Sequence, residues 1–378
     1  MIEVGPTRRI ENLSLARQAI EVSADGRVVM PGFVDSHTHL LFPVPGTPCG
    51  DPEASLHSLR ATTSTQLKMR ASAYLQAMVR HGTTTVEIKT GCGTANDAEM
   101  KILRVIAELQ KEPPEVVSTF LFRPPPISDI RGQSPERPWR HVSSEFLPRI
   151  SRRGLIGFAD LAWHEFTNQI RFQSTEWAAW PTGYLQVARS LGLGRKLHAD
   201  GERLAGAIAA AVQHHATSID HLEHATAGDA AALGQSNVVV TLLPCASFYE
   251  EERYAPARAF VDAGAPLALA SDFNPRRSPS LSMQTVVSLA CLRMGLTPEE
   301  AISAATINGA YALGRGELVG SLECGKLANL LLLNVSDYRE LAHSLGANLV
   351  RMVMRRGEIV YEEGRVGPRP VEDLRPLW

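Results

Sequence analysis

The chain has 378 residues, of which 44% are hydrophobic and 21% are charged, a balance typical of a globular enzyme and not of a disordered chain. Its 38 basic and 40 acidic residues give a net charge of −2, which excludes bulk electrostatic attraction to nucleic acid or to an anionic membrane. No apolar run approaches the roughly eighteen residues that a membrane helix needs, and the five cysteines form no CxxC pair. With no secretory signal after Met1, we expect a cytoplasmic protein with reduced thiols.

Strand-like and helical segments alternate over most of the chain, after short strand-like segments in residues 1–31. Helical spacing of apolar residues predicts helices at 64–81, 96–110 and 298–313. Eight strand–helix pairs within 32–316 predict a TIM (β/α)8 barrel, and no GxGxxG motif supports a doubly wound dinucleotide fold. The predicted barrel strands are 33–39, 83–89, 116–122, 155–163, 195–198, 217–221, 238–244 and 267–272.

The C-terminal end of the chain returns to a β pattern. An apolar run at 330–335 is followed by a hairpin signal that turns at Gly357. We therefore predict that residues 1–31 and 317–378 together form a small β-sandwich domain beside the barrel.

Polar side chains collect where the predicted barrel strands end. The first strand ends with His37 and His39, whose i, i+2 spacing places both rings on one face. The fifth ends with His198 and the eighth with Asp272, and active sites of TIM barrels lie at these carboxyl ends. Three imidazoles and one carboxylate suit zinc or iron with an open position for water. Taken singly, each residue also has a structural interpretation, such as a hydrogen-bonded His pair, a core histidine or a helix cap.

Several motifs resemble those of the amidohydrolase superfamily. Residues 31–40 (PGFVDSHTHL) resemble its first-strand signature. Within the superfamily the chain is similar to the imidazolonepropionases, because 87–93 resembles their ExKSGYG, 218–223 matches SxDHLE and 241–244 matches the start of TLLPG. The similar motifs run in the same order over nearly the whole chain. The resemblance implies a barrel that hydrolyses a C–N bond with a metal-activated water.

The resemblance also assigns residue roles. It implies that His37, His39, His198 and Asp272 hold one metal ion, with zinc expected and iron as the alternative. We expect Asp272 to carry the water proton to the leaving nitrogen, and His221 to stabilise the oxyanion. Because the fourth strand does not end in a lysine, a carbamylated lysine that bridges two metals is not expected.

The substrate-binding positions depart from the imidazolonepropionase pattern. The arginine expected after the HxH motif is missing from 40–47, Cys92 replaces a tyrosine, and the segment beginning Phe122-Arg123 replaces a motif that carries a substrate-binding histidine. In the fifth-strand motif, Gly201 stands where the family has a glutamate, and Glu202 follows it.

Two cations follow the eighth strand, where the family has small residues. Arg276 and Arg277 could hold an acidic group of the substrate, or they could be solvated rim charges. The candidate substrate-binding residues are Cys92, Arg123, Arg276 and Arg277.

Three functions remain open from the sequence. The first is a tailoring hydrolase of a modified peptide, which removes a follower segment as the bottromycin-type amidohydrolases do. The second is an imidazolonepropionase or a related hydrolase of a small cyclic amide, although the missing rim groups predict that imidazolonepropionate is a poor substrate. The third is an inactive metal-binding scaffold. We expect no nucleic-acid or membrane partner, and a homodimer is a further hypothesis.

Overall fold

The apolar runs of the middle of the chain become eight parallel strands in a computed structural model of the protein. The structure describes residues 1–42, 52–92, 95–124, 137–163, 175–199, 204, 206–251 and 253–364. The strands lie side by side in sequence order, and an isolated parallel bridge between Thr38 and Phe273 joins the first to the last. The barrel strands are β2 (Phe33–Asp35), β3 (Thr83–Lys89), β4 (Glu115–Phe122), β5 (Phe158–Ala162), β6 (Gly194–Ala199), β7 (Ser218–His221), β8 (Val239–Leu242) and β9 (Leu267–Leu269).

Helices connect the strands and cover the outside of the barrel, which confirms the predicted α/β barrel. The larger helices are Pro52–Ala61, Ser64–Arg80, Asn96–Leu109, Thr175–Ser190, Ala207–Gln213, Ala227–Gly234, Met283–Met294 and Pro298–Ala304. Shorter helical segments are Thr7–Ile10, Ala16–Gln18, Arg137–His141, Val142–Phe146, Leu147–Arg152, Pro244–Tyr249, Ala257–Asp262, Ile307–Ala312 and Glu340–His343. No helix in the described ranges is long and apolar enough to cross a membrane.

Local capping explains where two of these helices begin. Thr63 and Gln66 form a capping box at Ser64–Arg80, in which each side chain binds the backbone N–H of the other residue. Thr297 and Glu300 do the same for Pro298–Ala304. The continuous helix predicted over 298–313 is wrong, because the backbone of Thr306 leaves the helical region and divides it in two.

A second, antiparallel sheet is built from both ends of the chain. Its strands are β1 (Val29–Pro31), β10 (Leu330–Leu333), β11 (Val350–Arg355) and β12 (Glu358–Glu362), in that spatial order. This confirms a small β unit formed by both termini, although the described residues show one sheet and no second layer. Residues 1–28 hold short helical turns where we predicted strands. The domain limits at 31 and 317 stay a prediction.

Glu115 ties this sheet to the amino end of the barrel. It begins β4 and is buried, while Arg355 ends β11 and Arg356 follows it. Arg355 Nε and Arg356 Nη2 each donate to the Glu115 carboxylate at 3.0 Å. Burial opposes the charge on Glu115, but hydrogen bonds and charges from the two arginines outweigh it and lower the pKa of that carboxyl.

Candidate metal centre

The HxH motif lies just beyond β2, which ends four residues earlier than predicted. The chain nevertheless stays aligned with its neighbours, because Thr38 bridges Phe273 and the His39 N–H donates to the Phe273 carbonyl at 2.7 Å. Because successive side chains of an extended segment point to opposite sides, the i, i+2 spacing turns both imidazoles to the same side. The Nε2 atoms of His37 and His39 lie 3.2 Å apart, and both residues are buried.

Two further histidines come from the adjacent strands β6 and β7. The His198 ring centroid lies 4.9 Å from that of His37 and 5.6 Å from that of His39. The His221 ring lies 4.4 Å from His198 and 5.3 Å from His37. The structure thus brings together all four histidines that the sequence singled out.

Asp272 completes the cluster from beyond β9. Its Oδ1 lies 3.5 Å from His37 Nε2 and 3.6 Å from His39 Nε2. The residue adopts a left-handed backbone with φ of 49°, a strained conformation that functional sites often retain. Oδ1 is buried and has no hydrogen-bond partner among the described residues, so it is free to accept a cation.

A hydrogen-bonded latch fixes Asp272 relative to the HxH motif. Asp35, the last residue of β2, accepts hydrogen bonds from the Ser271 hydroxyl and, at 3.0 Å, from the Ser271 backbone N–H. Burial raises the pKa of Asp35 to about 6, against the lowering effect of these bonds. Ser271 precedes Asp272, so the latch sets the distance between the ligands supplied by the first and last strands.

The chemistry of this donor set fits a divalent metal ion. Asp220 Oδ2 lies 2.7 Å from His37 Nδ1, so that nitrogen donates and Nε2 carries a lone pair. That lone pair faces His39 Nε2 and Asp272 Oδ1, an arrangement that a cation between them stabilises. Donor atoms lie within 4.8 Å of one another in the sets His37, His39, Asp272 and His37, His198, His221.

Burial sets the protonation of the candidate ligands. It holds the pKa of His37, of His39 and of His198 well below the usual range, so the rings are neutral and can act as ligands. Burial also raises the pKa of Asp272 to about 7, although the charges of His221 and Arg277 oppose this.

His221 is oriented by a carboxylate of its own. Its Nδ1 lies 3.1 Å from Glu223 Oε1, and both side chains are nearly buried. The backbone is left-handed at His221 (φ 84°) and at Leu222 (φ 66°), which turns the chain sharply as β7 ends. Glu223 was not among the residues predicted for the site, although its i, i+2 spacing from His221 is visible in the motif.

Two of the predicted substrate-binding residues lie beside one another at the rim. The backbone N–H of Cys92 donates to buried Glu99, and burial raises the pKa of the Cys92 thiol well above its usual range. Arg123 packs over Gly91, where an added Cβ would come within 3.3 Å of the Arg123 Nε. Burial is the main cause of the lowered pKa of His39 and of His198, neighbouring imidazoles come next, and the charge of Arg123 adds to the effect.

The other two predicted arginines make contacts with the chain itself. Arg277 forms an ion pair with Glu250, and Arg276 Nη1 donates to Ser55 Oγ at 3.3 Å. Gly201 and Glu202, as well as residues 43–47 after the HxH motif, lie outside the described residues. The substrate-binding roles therefore stay predictions.

The chain matches the amidohydrolase family over residues 28–360. It is 37% identical over 366 residues to an imidazolonepropionase from Porphyromonas gingivalis, an alignment that covers 92% of this chain and 84% of the relative. It is 34% identical over 394 residues to an imidazolonepropionase from Geobacillus kaustophilus, covering 97% and 89%.

Solved structures with low sequence identity share the fold. A 5-methylcytosine deaminase from Klebsiella pneumoniae superposes with a TM-score of 0.72 at 16% identity, covering 93% of this chain and 92% of that chain. An adenosine deaminase from Xanthomonas campestris with bound zinc gives a TM-score of 0.67 at 18% identity, covering 95% and 85%. Fold, family match and relatives agree, and this chain belongs to the amidohydrolase family as an imidazolonepropionase-like hydrolase of C–N bonds.

Proposed function

We propose that this chain is a mononuclear metal-dependent hydrolase that opens a small cyclic amide of the imidazolone type. The observation that carries this proposal is a buried cluster of four histidines and one aspartate in a chain whose relatives over almost their whole length are imidazolonepropionases. These relatives support the small cyclic amide better than the modified peptide that the rim residues suggested. We had expected imidazolonepropionate to be a poor substrate. In that expectation, Arg276 or Arg277 would have to replace the arginine that is missing after the HxH motif. The relatives lead us to reverse it.

His37, His39, His198 and Asp272 would hold the ion, and zinc fits this donor set with iron as the alternative. When bound, the ion supplies Lewis acidity to the substrate carbonyl and to the attacking water. The neutral, buried imidazoles are suited to this task because they present lone pairs without a proton to remove.

Asp272 transfers the proton in this proposal. One of its oxygens faces the His37 and His39 nitrogens, which leaves the second for the water. It takes the water proton as the new C–O bond forms. It then delivers that proton to the ring nitrogen as the C–N bond breaks, so that the ring opens to one product that carries a carboxylic acid and an uncharged nitrogen group.

His221 stabilises the developing oxyanion. To donate a hydrogen bond there, the ring must carry protons on both nitrogens, because Nδ1 already faces Glu223 Oε1. The Glu223 carboxylate compensates the resulting positive charge. Glu223 therefore favours the donor form of His221.

Arg123 is our candidate for holding an acidic group of the substrate. Arg123 lies against Gly91, next to Cys92, and its charge contributes to the lowered pKa of His39 and of His198. A guanidinium suits a carboxylate because its N–H groups bind both oxygens. Arg277, a second candidate, forms an ion pair with Glu250.

Turnover of imidazolonepropionate by the zinc-loaded protein tests the proposal. We expect a rate in the ordinary enzyme range of roughly 1–10³ per second. His39→Ala protein, prepared in parallel, controls for a contaminating enzyme. Full metal loading without turnover of imidazolonepropionate or related cyclic amides would contradict the proposal. Cleavage of a modified peptide would then support the tailoring function, and inactivity on both would support the scaffold.

A further inference from the structure

A layer of buried charged side chains lies inside the barrel, directly beneath the candidate metal centre. Barrel interiors are normally filled by branched apolar side chains. Here five ionisable groups from four strands have no solvent exposure. The layer consists of Glu87 and Lys89 on β3, Asp160 on β5, Lys196 on β6 and Asp220 on β7.

The two ammonium groups are surrounded by the three carboxylates. Lys89 Nζ donates to Asp160 at 2.6 Å and to Asp220 at 3.0 Å, and it lies 3.2 Å from Glu87. Lys196 Nζ donates to Glu87 at 2.8 Å and lies 3.7 Å from Asp220. With all five groups ionised, one formal negative charge remains in a layer that contains no water-exposed side chain.

The layer contacts the metal centre at two points. Asp220 Oδ2 accepts a hydrogen bond from the Nδ1–H of His37. The other oxygen of Asp220 accepts a hydrogen bond from the Ser218 hydroxyl at 2.6 Å. Lys196 Nζ also donates to the Ser36 carbonyl at 3.0 Å, on the residue that precedes His37. Both contacts restrain His37, whose Nε2 faces the other candidate ligands.

Stability alone does not account for such a layer. Burying ions costs several kcal/mol each before pairing, and replacing buried ion pairs by apolar groups is often neutral or stabilising. A positioning role does account for it, because a partner that fixes a ligating histidine typically changes metal affinity by 10–100-fold.

We propose that Lys89 and Lys196 are positioning residues for the metal centre. They fix Asp220 and the Ser36 carbonyl, and through these they hold His37 with its Nε2 lone pair directed at the ion. The inference rests on the metal site of the proposed function, but it concerns metal affinity and does not depend on the substrate.

The test measures zinc affinity by chelator competition on folded protein. Removing Lys89 alone would leave Asp160 unpaired, so we pair Lys89→Met with Asp160→Asn, which removes one cation and one anion together. We expect this paired variant to bind zinc about 10–100-fold more weakly, with a melting curve that remains cooperative. Lys326→Met is the matched control, because Lys326 is a buried lysine that pairs with Ser321 in another part of the molecule. Its zinc affinity should match the wild type.

A double-mutant cycle separates positioning from general damage. Asp220→Asn should weaken zinc binding by a similar 10–100-fold, and adding the paired variant to it should cost little more, because Lys89 acts through Asp220. Wild-type affinity in the paired variant would overturn the inference, as would losses that simply multiply in the combination. If the wild type itself binds no zinc, it is the proposed function that fails.

Discussion

The two ends of the barrel use carboxylates in opposite ways. At the amino end, Glu115 receives hydrogen bonds from Arg355 and Arg356, and its pKa is lowered despite burial. At the carboxyl end, burial raises the pKa of Asp272 to about 7, and its Oδ1 has no hydrogen-bond partner in the described part of the chain. A satisfied carboxylate fastens two sheets together, whereas an unsatisfied one is available to a metal ion and a proton. The contrast predicts that changes at the two ends affect different properties.

The largest effect is expected from removing a candidate ligand. His39→Ala should abolish both metal binding and hydrolysis, because it removes one of the two nitrogens that lie 3.2 Å apart. The barrel should still fold, since the alanine leaves the backbone bond to Phe273 in place. Elemental analysis checks the loss of metal, and circular dichroism checks that the barrel still folds. A variant that retains a full equivalent of metal would contradict the ligand assignment.

Asp272→Asn should lower kcat by about 10²–10⁴-fold, the range of a lost general acid–base group. Metal binding should persist in part, because an amide oxygen can still act as a ligand. Metal content and kcat are to be measured on the same preparation. Glu202→Gln is the comparison variant, and if it proved more damaging, the proton carrier would be Glu202 instead.

Arg123→Met should raise KM for an acidic substrate with a smaller change in kcat. A hydrogen bond to a charged group contributes about 1.5–3 kcal/mol, which corresponds to roughly 10–150-fold in KM. The double variant Arg276→Ala, Arg277→Ala should change KM much less, because Arg277 is held by Glu250. A larger rise in KM in the double variant than in Arg123→Met would assign the binding of the acidic group to Arg276 and Arg277, in the loop after β9.

Glu115→Gln should leave activity unchanged and lower the free energy of unfolding by about 1–3 kcal/mol. Because the folded pKa of Glu115 is below its ordinary value, near 4.5, the stabilisation is complete above that value and is lost as the pH falls through the folded pKa. Denaturation of the wild type and the variant at pH 7 and near pH 3 should show that their difference in the free energy of unfolding is smaller at the lower pH. If the two proteins differed in stability by the same amount at both pH values, the ion pair of Glu115 would not be the source of that difference.

The sequence predicted which side chains the structure brings together at this end of the barrel, because that information is local. The i, i+2 spacing of His37 and His39, and strands that end at His198 and Asp272, follow from periodicity and from the barrel rule. The charged layer was not predicted. Glu87 and Lys89 have the same i, i+2 spacing on a strand, but that strand is buried on both faces, and the sequence does not indicate which face points into the barrel.

Contacts between distant segments were beyond prediction. Arg277 meets Glu250, which lies 27 residues away on the segment after β8, and such a pairing depends on loop geometry. The break at Thr306 inside an otherwise regular apolar pattern likewise depends on packing against the barrel. At the N-terminus, short apolar segments suggested strands, but only Val29–Pro31 finds a partner strand in the described structure.

The latch between Asp35 and Ser271 has a kinetic consequence. The two residues are 236 positions apart in the chain, so the contact forms only after nearly all of the barrel has been synthesised. Contacts of such long sequence separation form slowly, because the entropy of closing the chain must be lost first. His37 leaves the ribosome early, whereas Asp272 emerges late. A nascent chain therefore exposes histidines without their carboxylate partner, and the complete ligand set comes into being only with barrel closure.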